Sequence, residues 1–152
     1  MIRRMYRKNK TDVLCIYSGG KFSGFAATIN GDNGVLLDYL AVKKQHRGRG
    51  TGSAMMNHLI TVYGERGLFV EIENAFERDS ERSERMRRRN FYLKNGMQPM
   101  NVFAYVFGVN MELLGCGIRL TFEAYREFYR SNYSDFAAKH ILPAEVPPEC
   151  GK

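Results

Sequence analysis

The chain has 152 residues, 44% of them hydrophobic, and a formal net charge of +7. That length suits a single domain with a buried core; no apolar run is long enough for a membrane span, and the basic start, Met1 to Lys8, lacks the apolar stretch of a secretory signal. Three isolated cysteines, Cys15, Cys116 and Cys150, show no CxxC or Cys/His spacing, so no metal site is expected, the setting reads as reduced and cytoplasmic, and Cys15 reads as core packing.

Residues 12–18 form a predicted strand, apolar and partly β-branched from Val13 to Tyr17, closed by the turn Ser18-Gly19-Gly20-Lys21. Residues 22–30 are a second strand and Gly31-Asp32-Asn33-Gly34 a second turn. Residues 35–42 are a third strand, whose nearly unbroken apolar run predicts burial on both faces. A helix opens at Gly50 or Thr51 and runs to about Tyr63, with Ala54, Met55, Leu59 and Val62 on one face and Gly64 and Gly67 at its end. Residues 68–73 are a fourth strand, 74–79 a loop, and a second helix runs from about Ser80 to Lys94, stopped by Asn95-Gly96. Around it Arg78, Arg82, Arg85, Arg87, Arg88 and Arg89 alternate with Glu77, Asp79, Glu81 and Glu84, the pattern of a solvated face with i,i+4 pairs. Residues 97–107 and 109–114 are two further strands. Thr121 caps a last helix on which Phe122, Tyr125, Phe128 and Tyr129 make a docking face. Residues 1–140 are thus one domain and 141–152 a frayed tail. The order β-β-β-α-β-α-β-β-α combines a meander with a βαβ unit, which predicts an α/β (α+β mixed) fold: a central mixed, mostly antiparallel sheet flanked by helices.

The third strand runs through Val42 into Lys43-Lys44-Gln45-His46-Arg47-Gly48-Arg49-Gly50-Thr51-Gly52-Ser53 and then directly into the first helix. Backbone N–H groups at a helix start have no intrahelical partner, the helix dipole favours an anion there, and glycines keep side chains out of a phosphate's way. Arg47 and Arg49 add positive charge; His46 is expected to be exposed and not catalytic. The segment predicts a pyrophosphate cradle. No lysine follows the glycines as a P-loop requires. Nor does the spacing fit GxGxxG at the start of a dinucleotide-binding fold.

The segment Arg47-Gly48-Arg49-Gly50-Thr51-Gly52 does meet the pattern [QR]-x-x-G-x-[GA], and Asn90-Phe91-Tyr92-Leu93-Lys94-Asn95-Gly96-Met97 is close to FYxKxGF. Together, in this order, they resemble the GNAT superfamily of acetyl-CoA-dependent N-acyltransferases, over roughly residues 12–129. The resemblance implies a GNAT-like fold in which the strands on either side of the first helix splay apart. Acetyl-CoA would lie with its pantetheine arm in the gap against Leu40, Ala41 and Val42, flanked by Asn74 and Phe91. Its pyrophosphate would rest on Arg47, Gly48, Arg49, Gly50, Thr51, Gly52 and Ser53. A backbone N–H near residues 40–42 would polarise the thioester carbonyl. Tyr92 matches the tyrosine that often serves the family as the acid for the leaving thiolate; its other reading is a packed aromatic beside the cofactor. The amine must also lose a proton, and Asp38, Glu71 and Glu73 are the candidate bases; period-2 alternation puts Asp38 on one strand face with Leu40 and Val42, and sets Ile72 opposite Glu71 and Glu73.

The implied activity is acetyl transfer to a primary amine, carried by a small molecule or a peptide, with no nucleic acid or membrane partner. The family's usual N-terminal strand and two helices have no counterpart here, since only residues 1–11 precede the meander. A homodimer could cover the sheet edge this leaves. The missing wall also motivates an alternative reading as a non-catalytic acyl-CoA-binding or regulatory module. A nucleic-acid-binding domain, suggested only by the charge and the arginines around Arg85, is the remaining alternative.

Overall fold

The computed structural model describes residues 1–8 and 10–151. Eight strands form one sheet in the order β1-β2-β3-β4-β5-β7-β6-β8. The meander consists of β1 (Ile2–Lys8), β2 (Thr11–Ser18), β3 (Lys21–Gly31) and β4 (Gly34–Val42), each antiparallel to the next. Helix α1 (Thr51–Tyr63) crosses over to β5 (Leu68–Glu73), the one strand parallel to its neighbour β4 among the described pairings. Helix α2 (Arg82–Lys94) leads to the hairpin of β6 (Gln98–Val106) and β7 (Val109–Cys116). Then come α3 (Phe122–Asn132), a short α4 (Asp135–Lys139) and β8 (Ile141–Ala144). The mixed, mostly antiparallel sheet with flanking helices is the expected one.

Two stretches differ from the sequence reading. The residues before the meander, counted as carrying no strand, form β1 and pair with β2 from Ile2 opposite Ile16 to Lys8 opposite Thr11. Exposed Arg3 and Arg4 hid its alternation; charge on an edge strand discourages pairing with other chains. The stretch expected to fray, residues 141–152, contains β8, with Ile141 fully buried and Phe103 opposite Ala144, followed by a 3-10 turn at Pro148–Gly151. Pro143 is tolerated because β8 lies at the edge of the sheet. Lys152 lies outside the described residues.

Both faces of the sheet are packed. Val35, Leu37, Val70 and Ile72 point to one face, where they meet Met55, Leu59 and Tyr63 of α1 and Tyr92 of α2. Leu36, Phe69 and Leu113 point to the other, where they meet Tyr125, Phe128 and Tyr129 of α3, Ala138 of α4 and Ile141. Each such large side chain is worth about 1.5–3 kcal/mol when fully buried. Helices α3 and α4 cover the second face.

Candidate functional site

The sheet opens between β4 and β5. These strands pair only from Val35 opposite Leu68 to Leu37 opposite Val70. Beyond Leu37, β4 stays with β3 while β5 stays with β7, up to Glu73 opposite Met111. Burial follows the split: Gly34 to Leu37 are buried, whereas Asp38, Tyr39 and Ala41 are exposed. The expectation of a third strand buried on both faces therefore fails for its second half, because β5 is no longer beside it. In an antiparallel ladder alternate amides point away from the partner strand, so part of the Leu40, Ala41 and Val42 backbone faces the gap. Gly24 keeps β3 close to this segment; a Cβ there would lie 2.3 Å from the Ala41 carbonyl oxygen.

At the mouth of the gap the chain turns through residues 43–50 into α1. The turn is tied down by few bonds. Lys43 N–H donates to the Ser23 carbonyl (2.8 Å), buried Ser23 Oγ meets His46 Nδ1 (2.6 Å), Thr51 Oγ1 donates to the His46 carbonyl (3.4 Å), and Arg47 Nε donates to the Val42 carbonyl (3.1 Å). His46, expected to be exposed, is half-buried because it anchors the turn through Ser23. Gly48 and Gly50 have φ of +74° and +78°, the left-handed region that glycine adopts without penalty, and a Cβ on either would meet open space. Gly52 serves differently: a Cβ there would lie 3.1 Å from the Phe91 ring. Among the described residues no acceptor meets the amides of Gly48, Arg49, Gly50, Thr51, Gly52 or Ser53, and no side chain caps α1. Six free donors with the helix dipole behind them, beside exposed Arg49 and the Arg47 guanidinium, can accept a diphosphate.

The three candidate carboxylates separate. Asp38 does not share a face with Leu40 and Val42. The β3–β4 register slips between Thr28 opposite Leu37 and Ala27 opposite Tyr39, leaving Asp38 as the extra residue of a β-bulge. The bulge resets the alternation, so Leu37 and Leu40 both pack on the α1 face, and Asp38 interacts with Glu71 and Tyr133 on the α3 side. Glu71 lies on that α3 side too, where Tyr125 and Tyr129 of α3 both donate their hydroxyls to its Oε2, the latter at 2.6 Å. Burial pushes the Glu71 carboxyl above the usual carboxylate range, and Asp38 adds to this, while the two hydroxyls pull it back. Asp38 is itself raised by desolvation. Glu73 is exposed at the end of β5, its side chain makes no hydrogen bond among the described residues, and it stands outside this pair.

Tyr92 sits on the α1 face, 7% exposed, in van der Waals company with the core and edge-on to Phe91 at 5.2 Å. Burial raises its phenol above the ordinary value, which keeps the proton on it. Asn74 is buried just past β5; its N–H donates to the Asn110 carbonyl and its Oδ1 accepts from Phe76 N–H, which fixes the turn out of the gap.

The sequence reading does not connect the tyrosines of α3 with Glu71. Their spacing announced a docking face, and Tyr125, Phe128 and Tyr129 are buried as such, but nothing in the spacing shows that two hydroxyls reach a carboxylate on β5. The arginine helix was also misjudged. Arg89 turns inward to clasp fully buried Glu112 with Nε and Nη2 (2.8 and 3.0 Å), and Arg85, largely covered, binds Asp79 at 2.7 Å. These two positions of α2 face the hairpin and the preceding loop, not solvent.

A family model described as an acetyltransferase (GNAT) domain matches residues 9–99. No curated protein matches the chain in sequence. Among solved structures, the fold is similar to that of a protein from Bacteroides thetaiotaomicron described as an acetyltransferase of the GNAT family, with TM-score 0.68 at 18% identity over 87% of this chain and 76% of that one. A Bacillus subtilis acetyltransferase in complex with CoA superposes with TM-score 0.61 at 12% identity, over 77% of this chain and 97% of the other. The ribosomal-protein-S18-alanine N-acetyltransferase of Escherichia coli gives 0.57 at 16% identity, over 76% and 74%.

Proposed function

The chain belongs to the GNAT acetyltransferase family, and from that premise we propose that it transfers the acetyl group of acetyl-CoA to a primary amine. The observation that carries this reading is the row of six unpaired amides from Gly48 to Ser53 at the mouth of the β4–β5 gap. These amides, with Arg47 and Arg49, hold the diphosphate of acetyl-CoA. Leu40, Ala41 and Val42 line the gap for the pantetheine arm, Phe91 closes over Gly52, and Asn74 stands at the far end of β5. That the B. subtilis acetyltransferase of similar fold was solved in complex with CoA supports the choice of cofactor.

Acetyl-CoA, when bound, supplies a thioester: the amine nitrogen gains the acetyl carbon, the carbon–sulfur bond breaks, and CoA leaves as the thiol. A gap-facing N–H of residues 40–42 stabilises charge on the carbonyl oxygen. Tyr92, whose raised phenol holds its proton, donates to the departing sulfur. Glu71, at the point where the sheet opens, receives the amine's proton, with Asp38 beside it; exposed Glu73 takes no part. Against the non-catalytic alternative stands the carboxylate of Glu71, held by two α3 hydroxyls beside the gap, which favours the enzyme. Isothermal titration with acetyl-CoA tests the reading: saturable binding is expected, and its absence at millimolar ligand ends it.

A further inference from the structure

The protein carries a net charge of +7, yet the place where β4 and β5 part presents two carboxylates to the α3 side. Asp38 and Glu71 face each other across the end of the β4–β5 pairing. Above them α3 sets Tyr125 and Tyr129 one turn apart, and Tyr133, just past the end of the helix, continues the same stripe. Tyr125 lies edge-on to Tyr129 at 5.3 Å, and Tyr129 stacks on Tyr133 at 4.9 Å. The stripe grades from buried Tyr125 to Tyr133, 45% exposed, and Tyr39, 63% exposed, flanks it from β4. It therefore forms a ramp from solvent down to Glu71.

We propose that the acceptor reaches the thioester from this side, as a primary ammonium drawn down the tyrosine ramp by Asp38 and Glu71, and that Tyr125 and Tyr129 are positioning residues for the Glu71 carboxylate. The proposal deepens the acetyltransferase reading and rests on it. Carboxylates and aromatic faces together select a cation over an anion or a neutral group. An acceptor with a second positive charge gains from both carboxylates; one with its own carboxylate next to the amine is repelled. Of the elements packed around Glu71, β7 offers only Leu113 opposite it, β4 offers Asp38, and α3 offers the phenols. Burial and Glu71 hold the Tyr125 and Tyr129 phenols far above their ordinary value, so both remain donors and fix one carboxylate oxygen.

The test is steady-state kinetics with an aliphatic diamine, a monoamine and an α-amino acid, preceded by titration of the wild-type protein with acetyl-CoA. The diamine is expected to exceed the amino acid in kcat/KM by at least about tenfold. Asp38→Asn, at an exposed position, should raise KM for the diamine about tenfold and leave the KM of acetyl-CoA unchanged. Tyr129→Phe should leave the diamine KM, lower kcat, and move the acid limb of the pH profile upward, because Glu71 loses a donor to its charged form. Bound acetyl-CoA with no turnover of any of the three amines overturns the acceptor proposal alone. So does turnover that ignores charge, or that is indifferent to both substitutions. Failure to bind acetyl-CoA removes the cofactor reading and this proposal with it.

Discussion

Gly20 and Gly50 share φ = +78°, and a Cβ on either meets nothing within 4 Å. One lies in the β2–β3 hairpin turn, the other at the start of α1. The pair separates backbone strain from ligand exclusion. Glutamate at either position carries the same strain, about 1–2 kcal/mol for a non-glycine residue in the left-handed region, or a fall in Tm of about 2–8 °C at about 2–4 °C per kcal/mol for a domain of this size. Only at Gly50 does the new carboxylate face the proposed diphosphate. At a separation of about 4 Å and an effective dielectric constant of about 20, the repulsion is about 4 kcal/mol per charge pair, close to a thousandfold in affinity. Calorimetric titration with acetyl-CoA, alongside thermal melts, reads both quantities. Gly20→Glu should melt lower and bind like wild type; Gly50→Glu should melt lower to a similar degree and bind about a thousandfold more weakly. Equal affinity in the two variants refutes the cradle.

Tyr92→Phe should reduce kcat by one to two orders of magnitude while the acetyl-CoA dissociation constant moves less than about threefold; unchanged turnover in stopped-time thiol assays removes Tyr92 from the chemistry. Glu71→Gln should abolish transfer yet raise Tm near neutral pH. The sign follows from burial raising the folded carboxyl above its ordinary 4.5: between those two values the folded state holds more proton, so wild-type stability falls as pH rises through that window. The stabilising difference should vanish in melts below that ordinary value, and a variant less stable than wild type at pH 7 contradicts the argument. Arg89→Ala should cost about 3–5 kcal/mol in urea unfolding, because Glu112 is left buried without its partner. The double change Arg89→Met with Glu112→Leu should recover most of it, and an unchanged Arg89→Ala midpoint disproves the structural role.

The elements that position the cradle were legible in sequence because local physics dictates them. Hairpin turns at Gly19-Gly20 and Asp32-Asn33, the helix opening at Thr51, and the stop at Asn95-Gly96 each declare themselves over a few residues. β1 and β8 were not legible. Each is an edge strand whose existence depends on a neighbour, β2 or β6, and whose own composition, basic in one case and proline-bearing in the other, argues against a strand. Asp38 shows a second kind of limit. Period-2 alternation assigns its face correctly only in an unbroken ladder, and one extra residue at the bulge reverses the assignment. Glu71 was found as a titratable group on the right strand, but its tyrosine partners lie 54 and 58 residues away in sequence. Contacts of that separation leave no local pattern.

The central claim is that the main-chain amides of Gly48 to Ser53 are free to grip a diphosphate. Amide-resolved NMR during titration with CoA reads it residue by residue. The account predicts that the Gly48, Gly50 and Gly52 resonances move most, in step with saturation, while Gly20 stays still. Saturable binding that leaves those loop amides in place, or loop amides already protected from exchange without ligand, contradicts it.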